Sequence, residues 1–368
     1  MEKHYSEFIC PQNFRNLADW IFGWPNGVFD EKIETTTTNG YHLAPCLPSG
    51  SIIYVKTDYL DTFFHSIYPY LTNRFVLITA QGDASAPEKF LSYLHHIDSK
   101  IIHWFGQNAD IESSKSDRFT PIPIGLNCFE MANGIRHIYQ QNPNHTLPSI
   151  FGGQDEPQQY VHLLDVTHKI LNGHPAKQLL LVNFQRLTDP TGIRSRIWKI
   201  LCDQQQYTST FVVCIDKPDG VNISGLPAIY TRNRRYPFWL SPRGNGLDCH
   251  RTWEALYLDA IPIVWNSTLN PLYVDLPIII LNDWSELTEQ FLRSKLNEIA
   301  TNKIKNPSFY RFDKLRFSYW RRLILNKSRH SVTATKRENY CWRAKISECC
   351  KNTKIKRTER KNKKNFNP

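Results

Sequence analysis

Residues 241–254 hold the densest group of side chains in the chain that could bind an anion and a sugar hydroxyl. Ser241, Pro242, Arg243, Gly244, Asn245 and Gly246 form a loop between an apolar stretch and a helix-forming one. Arg243 brings a planar guanidinium suited to bidentate contact with phosphate. Gly244 lets backbone approach a ligand closely, and Asn245 adds a further donor. The helix that follows offers unpaired backbone N–H groups at its start, which favour negative charge. Asp248 is the predicted N-cap. His250, Arg251 and Glu254 then fall at three- and four-residue spacing, so they can share one helix face. A carboxylate one turn into such a helix can accept hydrogen bonds from ribose hydroxyls. A second loop of the same kind, 185–189, leads through Pro190 into a helix with Arg194 and Arg196 near its start. Arg194, nearer the N-terminus, is the better phosphate candidate of the two.

These loops need rigid elements to hold them. Phe238–Leu240 and Ile261–Trp265 read as short apolar strands flanking a helix over Arg251–Leu258. A strand–helix–strand unit this short implies a parallel crossover and an α/β sheet. The same alternation runs through the chain. Strands are predicted over Ser51–Lys56, Arg74–Thr79, Lys100–Phe105, Pro121–Leu126, Gln178–Phe184, Thr210–Cys214 and Leu276–Leu281. Helices are predicted over Tyr59–Leu71, Pro87–His95, Gln158–Asn172, Pro190–Leu201, Trp284–Ala300 and Phe309–Leu325. Asp283-Trp284, at the start of the fifth of these, could line a ligand pocket or simply cap the helix, and Ser285 is also a candidate cap. Strands apolar on both faces and separated by helices indicate parallel sheets covered on both sides. His103, on a strand, reads as core.

At 368 residues the chain is long enough for two domains. We expect a loop-rich lead-in over 1–50, Rossmann-like domains over 51–175 and 176–308, a crossing helix over 309–327 and a basic, disordered tail over 328–368. From Lys327 onward 14 Lys+Arg face 3 Asp+Glu, which accounts for the whole formal charge of +11 and leaves the remainder neutral. The basic balance therefore belongs to the tail and is no argument for nucleic-acid binding by the folded body. Any membrane contact is expected through that tail or through an anchor missing from this sequence. The nine cysteines form no CxxC pair, and their odd count and irregular spacing predict neither a disulfide framework nor a zinc site. Cys249 reads as a packing residue. Residues 1–8 lack the apolar core of a signal peptide, and four Asn-X-Ser/Thr sequons, at Asn144, Asn222, Asn266 and Asn326, do not decide the compartment.

The block Ser-Pro-Arg-Gly-Asn-Gly-Leu-Asp-Cys-His-Arg-Thr-Trp-Glu-Ala-Leu, followed by Ile-Pro-Ile-Val and by Leu-Pro-Ile-Ile-Ile-Leu-Asn-Asp-Trp-Ser-Glu-Leu, resembles the donor-binding half of exostosin-like glycosyltransferases. The resemblance is strongest over about 236–290 and absent from the tail. It implies a GT-B fold, two Rossmann-like domains with parallel sheets facing a cleft, and transfer of a sugar from a nucleotide-sugar donor to a glycan or glycoprotein acceptor. It implies donor contacts from Arg194, Ser241, Arg243, Gly244, Asn245, Asp248, His250, Arg251 and Glu254. Transfer with inversion needs a carboxylate to take the acceptor's proton. Asp83, in the loop after the second strand, is the first candidate and Asp110, after the third, the second; each also reads as an ordinary turn aspartate. No Asp-x-Asp pair is present, so no metal and no cofactor beyond the co-substrate are expected. The resemblance points to the Golgi, the missing leader to the cytoplasm. Two other readings stay open: an inactive relative that binds glycan or nucleotide, and a tail-borne binder of nucleic acid or anionic surfaces.

Overall fold

A computed structural model gives the protein's structure. It describes residues 7–23, 29–31, 44–141, 177–203, 211–215, 225–306 and 308–329. The predicted helix Gln158–Asn172, the domain boundary near 175 and nearly all of the basic tail lie outside these. In chain order the helices are α1 Pro11–Leu17, α2 Leu60–Thr62, α3 Leu91–His95, α4 Glu130–Gln140, α5 Ile193–Trp198, α6 Leu226–Asn233, α7 His250–Tyr257, α8 Asn270–Tyr273, α9 Glu289–Lys305 and α10 Phe317–Lys327. The strands are β1 Trp20–Phe22, β2 Phe29–Glu31, β3 Ser51–Lys56, β4 Phe75–Ala80, β5 Ile101–Gly106, β6 Phe119–Pro121, β7 Leu180–Val182, β8 Val212–Cys214, β9 Phe238–Leu240, β10 Ile261–Trp265 and β11 Ile279–Leu281.

The chain divides into two compact units, each built on a largely parallel sheet with intervening helices, an α/β fold. One unit comprises residues 14–106, 114–120 and 321–368. Its sheet runs β2-β1-β3-β4-β5-β6, with β1, β3, β4 and β5 parallel and β2 antiparallel to β1. β3 and β4 are almost wholly buried, as continuous apolar runs in a covered parallel sheet must be. Phe63, Phe64, Tyr68 and Tyr93 stack against one another beside them. The predicted helix Tyr59–Leu71 is a run of short 3₁₀, α and π turns ending at Tyr70, where Pro69 removes a donor. Residues 18–22, expected to be loop, supply β1, because Asp19 Oδ2 accepts from Ile52 N and pins that segment to β3. Arg329 closes on the same carboxylate at 2.7 Å.

The other unit comprises residues 1–13, 107–113 and 121–320. Its five strands are all parallel, in the order β11-β10-β9-β7-β8. Phe238–Leu240 and Ile261–Trp265 are strands with the predicted bounds. Residues 122–126 are not a strand: β6 stops at Pro121, and Leu126 N donates instead to Ile9 O. The expectation of no disulfides is overturned. Cys10 pairs with Cys128, with Cα atoms 5.4 Å apart, and Cys202 with Cys214, at 5.9 Å. The first pair joins residues 118 apart in sequence, which no spacing rule could reveal. Cys249 is a buried free thiol. Tyr257 Oη accepts from Ile9 N and donates to Leu315 O, tying three distant segments together. The predicted helix Phe309–Leu325 is split, with a 3₁₀ turn over Phe312–Leu315 before α10. The cap of α9 is Thr288, whose Oγ1 accepts from Phe291 N, rather than Asp283 or Ser285. Among the described residues no helix is long and apolar enough to cross a membrane.

Candidate functional site

The β9–α7 connection is held from below by Arg194. This residue, on the first turn of α5, is 7% exposed. Its Nε donates to Arg243 O at 2.9 Å and its Nη2 to Pro242 O at 3.1 Å. Its Nη1 donates to Gln185 O at 3.1 Å and Thr188 Oγ1 at 2.6 Å. One guanidinium thus cross-links the loops after β7 and β9. Gly244 lies on that guanidinium: a Cβ there would stand 3.0 Å from Nη2, so a side chain would need the guanidinium to give by a few tenths of an ångström. Asp189 secures the base of α5, accepting from Arg194 N at 3.0 Å and Thr191 N at 2.9 Å, and these hydrogen bonds hold its carboxyl below the ordinary range against the opposing effect of burial.

Above the clamp, Arg243 is half-buried and carries its guanidinium without an acidic partner among the described residues. Its Nη2 reaches only Asn245 O, at 3.4 Å, and its Nε is buried with no acceptor. Asn245 is exposed. Ser241 turns inward, its Oγ within 2.8 Å of Thr252 Oγ1 and 3.3 Å of Cys249 Sγ.

Asp248 does not cap the helix. The N-cap position is Cys249, with no side-chain cap, and Asp248 is buried one residue earlier. Its carboxylate accepts from Ile124 N at 2.8 Å, Cys249 N at 2.9 Å and Trp253 Nε1 at 2.9 Å. Burial pushes its pKa up to about 6 despite these bonds. His250 turns to Gly125 O, with Nδ1 2.7 Å away. Asp110 belongs to this unit. Its neighbours fix the 107–110 loop to it: Asn108 Oδ1 accepts from Asp248 N at 2.9 Å, and Ala109 O accepts from Thr268 Oγ1 at 2.5 Å. Asp83 is exposed and belongs to the other unit.

Of the three residues expected to share one helix face, Arg251 and Glu254 line one cavity and His250, engaged with Gly125 O, does not join them. That cavity, of about 90 Å³, has Asn183, Tyr230, Asn233, Leu226, Ile229 and Met131 among its walls. Arg251 Nε donates to Leu240 O at 2.8 Å, its Nη1 reaches Asn183 Oδ1 at 3.4 Å, and its guanidinium lies 5.1 Å over the Trp239 ring. Its Nη2 is buried without a partner. Desolvation lowers its pKa to about 10, with the Glu254 charge opposing, so it stays protonated at neutral pH. Glu254 is 9% exposed, and its Oε1 accepts from Tyr230 Oη at 2.9 Å. Burial and that carboxylate hold the phenol pKa well above its ordinary value, so Tyr230 remains a donor. Oε2 makes no hydrogen bond among the described residues. The cavity therefore offers an unused donor on Arg251 and an unused acceptor on Glu254, in a mixed lining where Met131, Leu226 and Ile229 stand beside Glu130, Arg232 and two asparagines.

Tyr230 and Asn183 carry this cavity, and sequence reasoning missed both. Asn183 was findable as the polar residue ending the apolar run of β7. Tyr230 lies on α6, whose start is signalled by Pro227 after Gly225 and Leu226.

No protein-family model matches the chain, and no curated protein matches it. Among solved structures the chain is similar to α,α-trehalose 6-phosphate synthase from Burkholderia multivorans, at 12% identity over 86% of this chain and 76% of that one, with a TM-score of 0.30. A likeness at that level assigns neither fold nor activity to this chain.

Proposed function

We propose that the chain is a nucleotide-sugar glycosyltransferase whose donor binds in the unit built on β7–β11. The observation that carries the reading is the cavity beside Glu254. A nine-tenths buried carboxylate with one oxygen held by Tyr230 and one unused oxygen suits a pair of ribose hydroxyls, and the unpartnered Nη2 of Arg251 suits a ligand oxygen. Arg243, with no acidic partner among the described residues, supplies charge to the diphosphate as it departs, which is electrostatic stabilisation of the leaving group. Arg194 and Ser241 enter this account as supports of the loop, since their polar atoms are engaged in it. Asp248 likewise fixes the turn and contacts no donor.

Of the two carboxylates considered as base, Asp110 is the one we carry forward, because it lies in the loop fixed to Asp248 and Thr268 in the same unit. The donor sugar, the nucleotide and the acceptor are not assigned. Transfer without a metal ion, action in the Golgi and membership of the exostosin-like group belong to the proposal and rest on the residues of 236–290.

A test follows from the chemistry. The full chain is incubated with a panel of radiolabelled nucleotide sugars, and release of free sugar is followed. The reading expects slow hydrolysis of one donor, abolished in R243A and reduced in D110N. A donor that binds without any turnover in the presence of candidate acceptors supports the second reading, a nucleotide-binding relative without transfer. That reading gains weight from the engagement of Arg194 and Asp248 inside the fold, which leaves Arg243, of the two arginines proposed for the diphosphate, as the one without an acceptor for its buried Nε.

A further inference from the structure

A second concavity lies on the same helix pair but outside the donor cavity. Helices α4 and α6 cross closely at Gly134, where a Cβ would come within 2.9 Å of the Tyr230 ring and 3.3 Å of Leu226 Cβ. On one side of that crossing is the cavity with Glu254. On the other is an open groove of about 550 Å³, lined by His137 and Gln141 from α4 and by Pro227, Ala228, Thr231, Arg232 and Arg235 from α6 and its C-terminal extension. Its volume is in the range of ligand-binding clefts. Arg232 lines both spaces.

The groove's chemistry is one-sided. Among the described residues that line it are two arginines and a histidine, and no carboxylate. Arg235 is exposed, and neither it nor Arg232 makes an ion pair among the described residues. Arg232 is oriented, its Nε and Nη2 each 3.1 Å from Asn233 Oδ1. The charge is local, because the positive balance of the sequence resides beyond Lys327. Pro227 and Ala228, one turn N-terminal to Thr231 and Arg232 on α6, add a small apolar patch to the same lining.

We propose that this groove is a docking site for an acidic peptide segment of a protein partner, with two carboxylates spaced to meet Arg232 and Arg235 and a small apolar residue beside them to rest on Pro227 and Ala228. Residues at three-residue spacing on a helical turn stand roughly 5–6 Å apart at Cβ, a separation that neighbouring acidic side chains of one peptide can match. Single-stranded nucleic acid is held on aromatic platforms, and no Phe, Tyr or Trp is among the described residues lining the groove. A membrane-surface contact needs a broad apolar face on the outside of a helix, and the lining here is concave and largely polar.

The test uses the full chain and a fluorescein-labelled decaglutamate peptide. Fluorescence anisotropy gives affinity, and hydrogen–deuterium exchange gives location. Two triple-charge changes are compared. T231E/R235E alters the groove at exposed residues and leaves the donor cavity untouched; S294E/K295E changes the same charge on α9. We expect the peptide to slow exchange in residues 130–141 and 226–235. We expect affinity to fall tenfold or more in T231E/R235E and to stay within twofold in S294E/K295E. Equal weakening in both variants would overturn the proposal, as would protection that appears only outside those two helices. Binding of inorganic phosphate or of phosphatidylserine vesicles at α6 more tightly than the peptide would overturn the choice of partner. Nucleotide binding through Glu254 is measured separately, so failure here leaves the donor reading standing and the reverse also holds.

Discussion

Replacing Arg194 by alanine separates a structural clamp from a phosphate ligand. In the fold its guanidinium donates to three carbonyls and one hydroxyl, at 2.9, 3.1, 3.1 and 2.6 Å, and is 7% exposed. Removing a buried donor leaves its acceptors unsatisfied, at about 1–3 kcal/mol per group, and such losses overlap when the groups share one site. Water entering the vacated space recovers part of the cost for Gln185 O and Thr188 Oγ1. The net loss expected for R194A is about 3 kcal/mol, present without any ligand. Lysine keeps the charge but has one nitrogen where arginine has three, so it cannot span both loops, and R194K is expected to lose about 2 kcal/mol. The assay is urea unfolding followed by tryptophan fluorescence, because Trp239 and Trp253 are buried next to the clamped loop. A loss below about 0.5 kcal/mol in R194A, the level of an ordinary surface substitution, would refute the clamp and return Arg194 to the list of ligand contacts.

Two further outcomes follow from buried charges in the same unit. The Asp248 carboxyl titrates near ~3.9 in an unfolded chain and at about 6 in the fold, so the folded state holds the extra proton between those values. Stability should therefore fall as pH rises from about 4 to about 6, by on the order of 2–3 kcal/mol, and the slope should be missing in D248N when unfolding is measured across that range. Lys303 and Asp259 form an ion pair at 2.6 Å with side chains only 2% exposed each, so K303M should cost about 3–5 kcal/mol by removing the cation that pairs a buried carboxylate, and K303M/D259N should regain part of it in the same denaturation assay.

The sequence discloses elements where apolarity is continuous and hides them where a contact from elsewhere decides. β3, β9 and β10 are legible because parallel strands covered on both faces need uninterrupted apolar residues, and Ile52, Trp239 and Ile263 provide them. β1 is hidden because three residues carry no periodicity, and its place comes from Asp19 reaching Ile52 N. Residues 122–126 are as apolar as a strand, but Gly125 takes a left-handed conformation and Leu126 bonds to Ile9 instead of a neighbouring strand.

At the site, helical spacing rightly places Arg251 and Glu254 on one cavity. It cannot tell which polar residues of a loop face outward. Asp248 has the type and position of a cap, yet Ile124, Trp253 and Tyr273 turn it inward. Arg194 has the type and position of a phosphate ligand, yet four acceptors from two loops surround it. The contacts that decide, Arg194 with Pro242 and Arg243 and Asp248 with Ile124, join residues far apart in the chain, so local pattern carries no trace of them. The Cys10–Cys128 disulfide, 118 residues apart in sequence, escapes for the same reason.

The most direct test of the donor site is thermal unfolding of the full chain against a panel of nucleoside diphosphates and nucleotide sugars, with E254A and R243A alongside. A ligand at about a hundred times its dissociation constant adds roughly 2.7 kcal/mol to the folded state. The account predicts stabilisation by one nucleotide, lost in E254A through the ribose contact and weakened in R243A through the diphosphate. Stabilisation that survives E254A unchanged, or none from any nucleotide, would contradict it.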